Sequence, residues 1–522
     1  MTDVMQIGQF SNAFVNLLPE LTIVLAILMS SIWGLFAPKL RFLTAWFGLL
    51  ATFLSSMMFA FQLNVSTVSL LNGVFTIDKL TVIFGIFINL ITFVVILMSM
   101  GYEQHLKDNA GEFYALLLTA CVSVMLLAGA GELILMFVAL ETLSIACVIL
   151  AGILKQDVKS QEACLKYLVS TASVTATLLY GFSFIYGLTG STMFSVIQEQ
   201  FVTLSMAPHS LIGVLIMVLL ISAIGFKLSI APFHMWTPDV FEGAATPVTA
   251  FLSVGSKLGG FAIILRLLIV VFSKSVFYWT LILSLLAILS MVVGNLVALS
   301  QKSFKRMLAY SSIAHIGYML IGIVEGSQTG VANSIFYLIV YGFMNLGAFS
   351  AAILFTNETG SDNIDDYAGL IRKRPILALG LSLCLLNLAG LPIPPAGFLA
   401  KFFIFSTGFK MASLPVFFNY SAPVGTILVV VGLLTSIPAV YYYTRVVIKM
   451  LVSEPSECVN ALSQRRQSQL VSQSGPITAL GFCVVMLTLI GTNLVNLTMN
   501  ISQTTVKPLY VSHETTEKTP EF

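Results

Sequence analysis

Long apolar runs separated by short polar stretches recur from one end of this chain to the other. A helix needs about 20 mostly apolar residues to cross a hydrocarbon core. Fourteen runs reach that length, at roughly 19–37, 43–62, 80–100, 113–130, 132–153, 163–187, 210–231, 246–272, 277–299, 306–324, 331–355, 375–408, 424–450 and 476–498. The pattern predicts an all-α polytopic membrane protein with about 14 transmembrane helices. An even number of crossings puts both ends of the chain on one side. The residues before Pro19 lack a basic leader, so the first run reads as a membrane helix rather than a cleavable signal.

The seventh run ends in a polar interruption, GFKLSIAPFHMWTPDVFEGAATPVTAF, at positions 225–251. Proline removes a backbone N–H and clashes with the preceding turn, so Pro232 and Pro238 predict a broken helix at membrane depth. Broken backbone survives there only inside protein or beside a wet cavity. Lys227 sits at the break, and a lysine at the bilayer centre costs about 2.5–3.5 kcal/mol on insertion scales. Two readings fit: an ion pathway at a discontinuous helix, or a kinked structural helix whose lysine snorkels to the surface.

The twelfth run holds a similar interruption, LPIPPAGFLAKF, with Pro392, Pro394, Pro395 and Lys401. Helices four to eight and nine to thirteen then form two five-helix units. Five is odd, so the second unit enters the membrane from the opposite side, which is an inverted repeat with ion sites expected at the breaks. The expected organisation is 1–110 for helices 1–3, 111–275 and 276–452 for the two units, and 453–522 for a loop, helix 14 and a tail. In the first unit the lysine precedes the proline and in the second it follows.

Charge sharpens this picture. Fifteen lysines and arginines, among them Lys39, Arg41, Lys107, Arg465 and Arg466, flank the loops after odd-numbered helices, against five, including Lys518, elsewhere outside the spans. The positive-inside bias places the odd loops in the cytoplasm or its organellar equivalent. Five basic residues remain within predicted spans: Lys166, Lys227, Lys257, Arg266 and Lys401. Glu141 is the acidic residue well inside a span, with Glu20 and Glu132 at helix edges. Overall 57% of residues are hydrophobic and 9% charged, far below the ~25% charged content of soluble domains, so no sizeable soluble domain is expected. A net charge of +2 argues against a nucleic-acid surface. The six cysteines form no CxxC pair and the five histidines (His105, His209, His234, His315, His513) are scattered, a spacing that supports neither an iron–sulfur cluster nor a zinc site. The chain is expected to bind no metal and to perform no redox chemistry itself.

Several stretches resemble the antiporter-like membrane subunits of respiratory complex I: VALETLSIACVILAG around Glu141, EACLKYL around Lys166, the seventh-run interruption, FLSVGSKLGGFA around Lys257, KRMLAYSSIAHIGYMLIG, and DDYAGL…AGLP…AGFLAKF. The resemblance covers about 110–450. Within the family it is greatest to subunit N (subunit 2) in the form found in cyanobacterial and chloroplast NAD(P)H dehydrogenase complexes. Lys401 stands where subunit M usually has a glutamate, and the short tail after the last run differs from the long lateral helix of subunit L. One departure is local: GLPIPPAGFLAK is one residue longer than the family pattern between Gly390 and Lys401, and Ala400 replaces a usual glycine.

The resemblance implies that Glu141 and Lys227 form a switchable ion pair, that Lys257 relays protons, and that Lys401 is the far terminal carrier. Burial weakens a lysine's hold on its proton and a nearby carboxylate restores it, so moving Glu141 would gate transfer. His315 is either a carrier between Lys257 and Lys401 or a hydrogen-bonded structural histidine. Lys166 is either functional or paired with Glu162 or headgroups. His234 is expected to cap freed carbonyls, Arg266 to be structural or lipid-facing, and Asp239 and Glu242 to fix the cytoplasmic loop. NAD(P)H or ferredoxin, iron–sulfur clusters and quinone would belong to partner subunits, both membrane and peripheral. The membrane is expected to be thylakoid, or a bacterial plasma membrane. The competing readings are a cation/proton antiporter subunit of the Mrp type, and a structural member of the complex whose proton path is dead.

Overall fold

The computed structural model describes residues 14–36, 42–64, 66–102, 106, 109–204, 211–411, 414–417, 420–462 and 473–514. Lys39, Arg41, Lys107, Arg465, Arg466 and Lys518 of the loop-charge comparison, with His105 and His209, lie outside the described residues.

The chain runs through α1 (Leu18–Phe36), α2 (Phe42–Gln62), α3 (Lys79–Met100), α4 (Ala110–Gly129), α5 (Leu133–Ala151), α6 (Val158–Thr189), α7 (Phe194–Leu204), α8 (Leu211–Leu228), α9 (Trp236–Gly243), α10 (Thr246–Ile264), α11 (Val276–Leu299), α12 (Phe304–Glu325), α13 (Gln328–Thr359), α14 (Pro375–Ala389), α15 (Ala396–Lys410), α16 (Val424–Val452), α17 (Glu457–Ala461), α18 (Ser474–Thr492) and α19 (Val495–Glu514). Thirteen of these described helices are long and apolar enough to cross a membrane. The twelfth expected span is instead the pair α14 and α15, 15 residues each, separated by the proline-rich segment 390–395. Both proline interruptions therefore break their helices, giving a multi-pass membrane protein with two inverted five-helix repeats, each holding a discontinuous helix.

Helix starts follow local chemistry. The side chains of Asp78, Ser303 and Ser327 accept from the backbone N–H of Thr81, Arg306 and Gly330, which satisfies donors that a helix N-terminus leaves orphaned. At the centre lies α10, every residue of which is buried. It packs on α3, α4 and α13, and α12 and α13 are nearly as enclosed. A helix that is apolar all round belongs inside a larger bundle. The outer helices α1, α6, α8 and α16 instead expose leucine, isoleucine and valine, for example Leu25, Leu165, Leu211 and Ile437.

Several features depart from the expectation. Two hairpins join the helices: β1 (Val68–Leu70) with β2 (Phe75–Ile77), and β3 (Leu414–Phe417) with β4 (Tyr420–Ala422), both antiparallel. Their strands are too short to carry a period-2 signal. The amphipathic α7 falls between expected spans. The tail is helical over Val495–Glu514, where α19 packs against α13 and α3. Arg266 is not lipid-facing. It lies in a π-helical extension of α10, Leu265–Val271, and is 5% exposed.

Candidate functional site

Each break exposes backbone groups that the helix no longer satisfies. At the first, Trp236 Nε1 donates to Phe226 O at 3.1 Å, Ser290 Oγ accepts from Ala231 N at 2.9 Å, and Ile230 N donates to Gly225 O at 2.8 Å. Trp236 is held by stacking on Tyr167, with centroids 4.4 Å apart. Lys227 occupies the last turn of α8, where the helix dipole favours a cation. It is buried, and its Nζ has no hydrogen-bond partner among the described residues.

At the second break Gly390 takes a left-handed conformation, φ +84°. The backbone there favours glycine, and a methyl group added to it would stand 2.7 Å from Lys401 Cδ and push the lysine side chain aside. Asn387 Oδ1 accepts from Gly397 N at 3.0 Å, fixing the start of α15 despite the extra residue in the segment. Lys401 sits in α15, yet its Nζ reaches back to Ala389 O at 2.8 Å. The reversed order of lysine and proline thus has a physical resolution. The two lysines approach from opposite sides of their breaks, and Lys401's ammonium still meets the carbonyl end of the first half-helix.

Between the breaks the structure brings the expected residues into one line. Lys227 packs on α10, its Cβ 3.8 Å from where a methyl on Gly260 would stand, one turn from Lys257. Lys257 is buried, with no hydrogen-bond partner for Nζ among the described residues, and that atom lies 5.8 Å from the Tyr341 ring centre. The Tyr341 ring is 5.3 Å from that of His315. His315 Nδ1 is 2.8 Å from Tyr337 Oη and Nε2 is 3.3 Å from Tyr443 Oη. The Tyr318 ring lies 5.9 Å from His315, and Lys401 Nζ lies 5.4 Å from the Tyr318 ring centre. A continuous row therefore runs Lys227, Lys257, Tyr341, His315, Tyr318, Lys401.

Glu141 stands at the start of this row on α5 and accepts from Thr175 Oγ1 at 2.6 Å. Among the described residues no carboxylate lies within ion-pair distance of Lys227. The pair is apart in this structure. Lys166 lies elsewhere. It is 2.7 Å from both Glu162 and Asp239, and Asp239 and Glu242 each meet Arg306 at 2.9 Å. This surface network ties α9 to α6 and α12. At His234, expected to cap freed carbonyls, Nδ1 is buried without a partner among the described residues.

Arg266 shows what a structural buried charge looks like. It forks onto Asp78 at 2.8 and 2.9 Å, and donates to Ala128 O at 2.7 Å and Thr81 Oγ1 at 3.0 Å. Such pairing lets a buried charge persist. Lys227 and Lys257 lack it.

The tyrosines were missed by sequence reasoning. Nothing distinguishes Tyr318, Tyr337, Tyr341 and Tyr443 from other aromatic core residues until the helices carrying them are packed. The spacings of His315 and Tyr318, three apart, and of Tyr337 and Tyr341, four apart, each on one helix face, are the local hints. Among the described residues no group of histidines, cysteines and carboxylates is placed to hold a metal ion.

Two broken helices and, between them, a row of buried lysines and a histidine are the features of an antiporter-like membrane subunit. The NADH:quinone oxidoreductase/Mrp antiporter transmembrane family matches residues 130–426, and this chain belongs to that family. It is 50% identical over 386 residues to a Synechocystis protein named NAD(P)H-quinone oxidoreductase subunit 2, covering 74% of this chain and 72% of that one. A Crocosphaera subtropica protein of the same name is 45% identical over 445 residues, 85% and 82% of the two chains. The fold is similar to a chain of Thermus thermophilus respiratory complex I, with TM-score 0.70, 28% identity, and coverage of 91% of this chain and 98% of that one. A chain of the Mrp complex from Dietzia shares the fold at TM-score 0.79 and 18% identity, covering 95% and 98%.

Proposed function

We propose that this chain is the proton-carrying membrane subunit of an NAD(P)H- or ferredoxin-dependent quinone oxidoreductase, a complex I-like assembly in a thylakoid membrane. The observation that carries the reading is the row of buried bases between the two breaks. Three ammonium groups with no carboxylate in contact are costly in a bilayer unless they exchange protons. The chain itself is non-redox: NAD(P)H or ferredoxin, the iron–sulfur clusters and the quinone site reside in partner subunits, and this subunit receives their conformational or electrostatic signal. Residues 111–275 and 276–452 act as the two inverted halves, with 1–110 and 453–522 flanking them.

Glu141 sets the proton affinity of Lys227. Approach of the carboxylate favours the ammonium, and withdrawal releases a proton toward Lys257. Each tenfold change in proton affinity corresponds to about 1.4 kcal/mol, so a modest movement suffices. His315 bridges two tyrosine hydroxyls, and either tautomer lets one ring nitrogen donate while the other accepts. Buried polar atoms along the row that lack protein partners, Tyr341 Oη and both ends of the Asn345 amide, are the kind that ordered water satisfies. Water and hydroxyls together carry the proton from Lys257 to Lys401. Lys166 acts through the network on α9, holding the second half of the first broken helix.

The relatives with 45–50% identity bear the quinone oxidoreductase name, whereas likeness to the Mrp chain rests on fold alone. That favours electron-transfer coupling over a free-standing cation/proton antiporter. The test is purification of the tagged complex in mild detergent, assayed for reductant-driven quinone reduction and, in proteoliposomes, proton uptake. Lys227→Ala should abolish uptake. Transport that depends on sodium without a reductant would overturn the reading.

A further inference from the structure

An apolar groove of about 660 Å³ lies on the outside of the bundle, between α14 and α18 and against the end of α13. Its walls include Ile376, Leu379, Leu383, Ile477 and Val485. Lys373, Arg374 and Gln473 stand together at one end. The α14 wall runs from Pro375 to Leu383, about 12 Å at the helical rise, and one leaflet of hydrocarbon is about 15 Å deep. The groove therefore has the depth and polarity of a single leaflet, with its polar end at headgroup level.

That end carries uncompensated positive charge. Arg374 pairs with the largely buried Glu358 at 3.1 Å, and Arg372 pairs with Glu454 at 2.7 Å. Lys373, between them, is exposed and has no ion pair among the described residues. The loop also lies on the side that the positive-inside bias assigns to the cytoplasm, where anionic lipids collect and basic pockets between helices hold their headgroups. A free anion would gain nothing from the long apolar wall. Gly481 leaves the wall open: a methyl group added there meets no atom within 4 Å.

We infer that this groove is a binding site for an anionic glycerolipid, its acyl chain along α14 and α18 and its phosphate or sulfonate at Lys373. The intact tagged complex provides the test. After delipidation it is incubated with vesicles of phosphatidylglycerol or of phosphatidylcholine, and retained lipid is counted by native mass spectrometry. Wild type should retain phosphatidylglycerol preferentially. Lys373→Gln should reduce that preference about fivefold, the factor one basic residue supplies near an anionic surface. Gly481→Leu fills the groove while improving helix propensity, and should remove the retained lipid with quinone reductase activity unchanged. Equal retention of the two lipids by wild type, unchanged retention in Gly481→Leu, or cross-linking of Gly481→Cys to a neighbouring polypeptide would overturn the assignment.

Discussion

At the first break a lysine in the last turn of its half-helix has no partner for its ammonium among the described residues; at the second, a lysine in the second turn of its half-helix reaches back to bond Ala389 O. The first break is held by a tryptophan, a serine and backbone contacts that do not involve the Lys227 side chain, which would leave that lysine able to answer Glu141 in the proposed switch. The second is held partly by its lysine, with Gly390 beneath it. A charge kept apart from the scaffold can change protonation without disturbing the fold. One built into the scaffold couples its protonation to local structure. The pair suggests a switch at one end of the row and a terminal exchange site at the other.

The largest effect that sharpens this contrast is on transport. Lys227→Met and Lys401→Met should each lower reductant-driven proton uptake about 10²-fold or more, the scale of a positioned proton donor, measured by dye quenching in proteoliposomes. They should differ in stability. Removing the unpartnered Lys227 ammonium leaves the melting temperature unchanged or raised. Lys401→Met strands the Ala389 carbonyl and should cost about 1–3 kcal/mol. Equal destabilisation in the two variants would erase the distinction.

Gly390→Ala comes next. An L-residue held in the left-handed region costs about 1–2 kcal/mol, and here the added methyl also displaces Lys401. Both melting temperature and proton uptake should fall, whereas a matched Gly481→Ala should leave both intact; a silent Gly390→Ala would show that the second break tolerates movement of its lysine. Smaller still is Tyr341→Phe. It keeps the ring beside Lys257 and removes the hydroxyl, so a several-fold loss of uptake without loss of stability marks the hydroxyl as part of the path. Unchanged uptake would reduce Tyr341 to packing.

The smallest effect concerns ion pairs outside the membrane. Lys449, hydrogen-bonded to Asp365, holds that carboxyl below its ordinary value of 3.8. Arg372 does the same to Glu454, whose ordinary value is 4.5. A lowered folded value means the contribution is complete above the ordinary value and lost as pH falls through the lowered one. Thermal stability should therefore be insensitive to these pairs between about pH 6 and 8 and weaken only below about pH 4. Arg372→Ala should not shift the melting temperature measurably at neutral pH, as expected for exposed pairs.

Much of the site is legible in the amino-acid order itself. Lys227, Lys257 and Lys401 stand out because charge in an apolar run is rare and costly, and the prolines mark both breaks. Arg266 carries the same signal and has a different meaning. Its partner Asp78 is far away in sequence, and only packing of the π-helical turn of α10 against the start of α3 brings the pair together. The tyrosines around His315 are invisible for a related reason. An aromatic residue in an apolar helix has the same sequence signature whether its hydroxyl faces a histidine or a neighbouring leucine.

The sequence alone determined the membrane class, the number of crossings to within one continuous helix, the two breaks and the buried bases, because each follows from local hydropathy, backbone chemistry or the cost of charge in hydrocarbon. Tertiary structure decided which buried charges are paired, that Lys401 returns to the carbonyl end of its break, and that four tyrosines close the gap around His315. Those outcomes depend on contacts between helices distant in the chain, and no local pattern encodes which faces will meet.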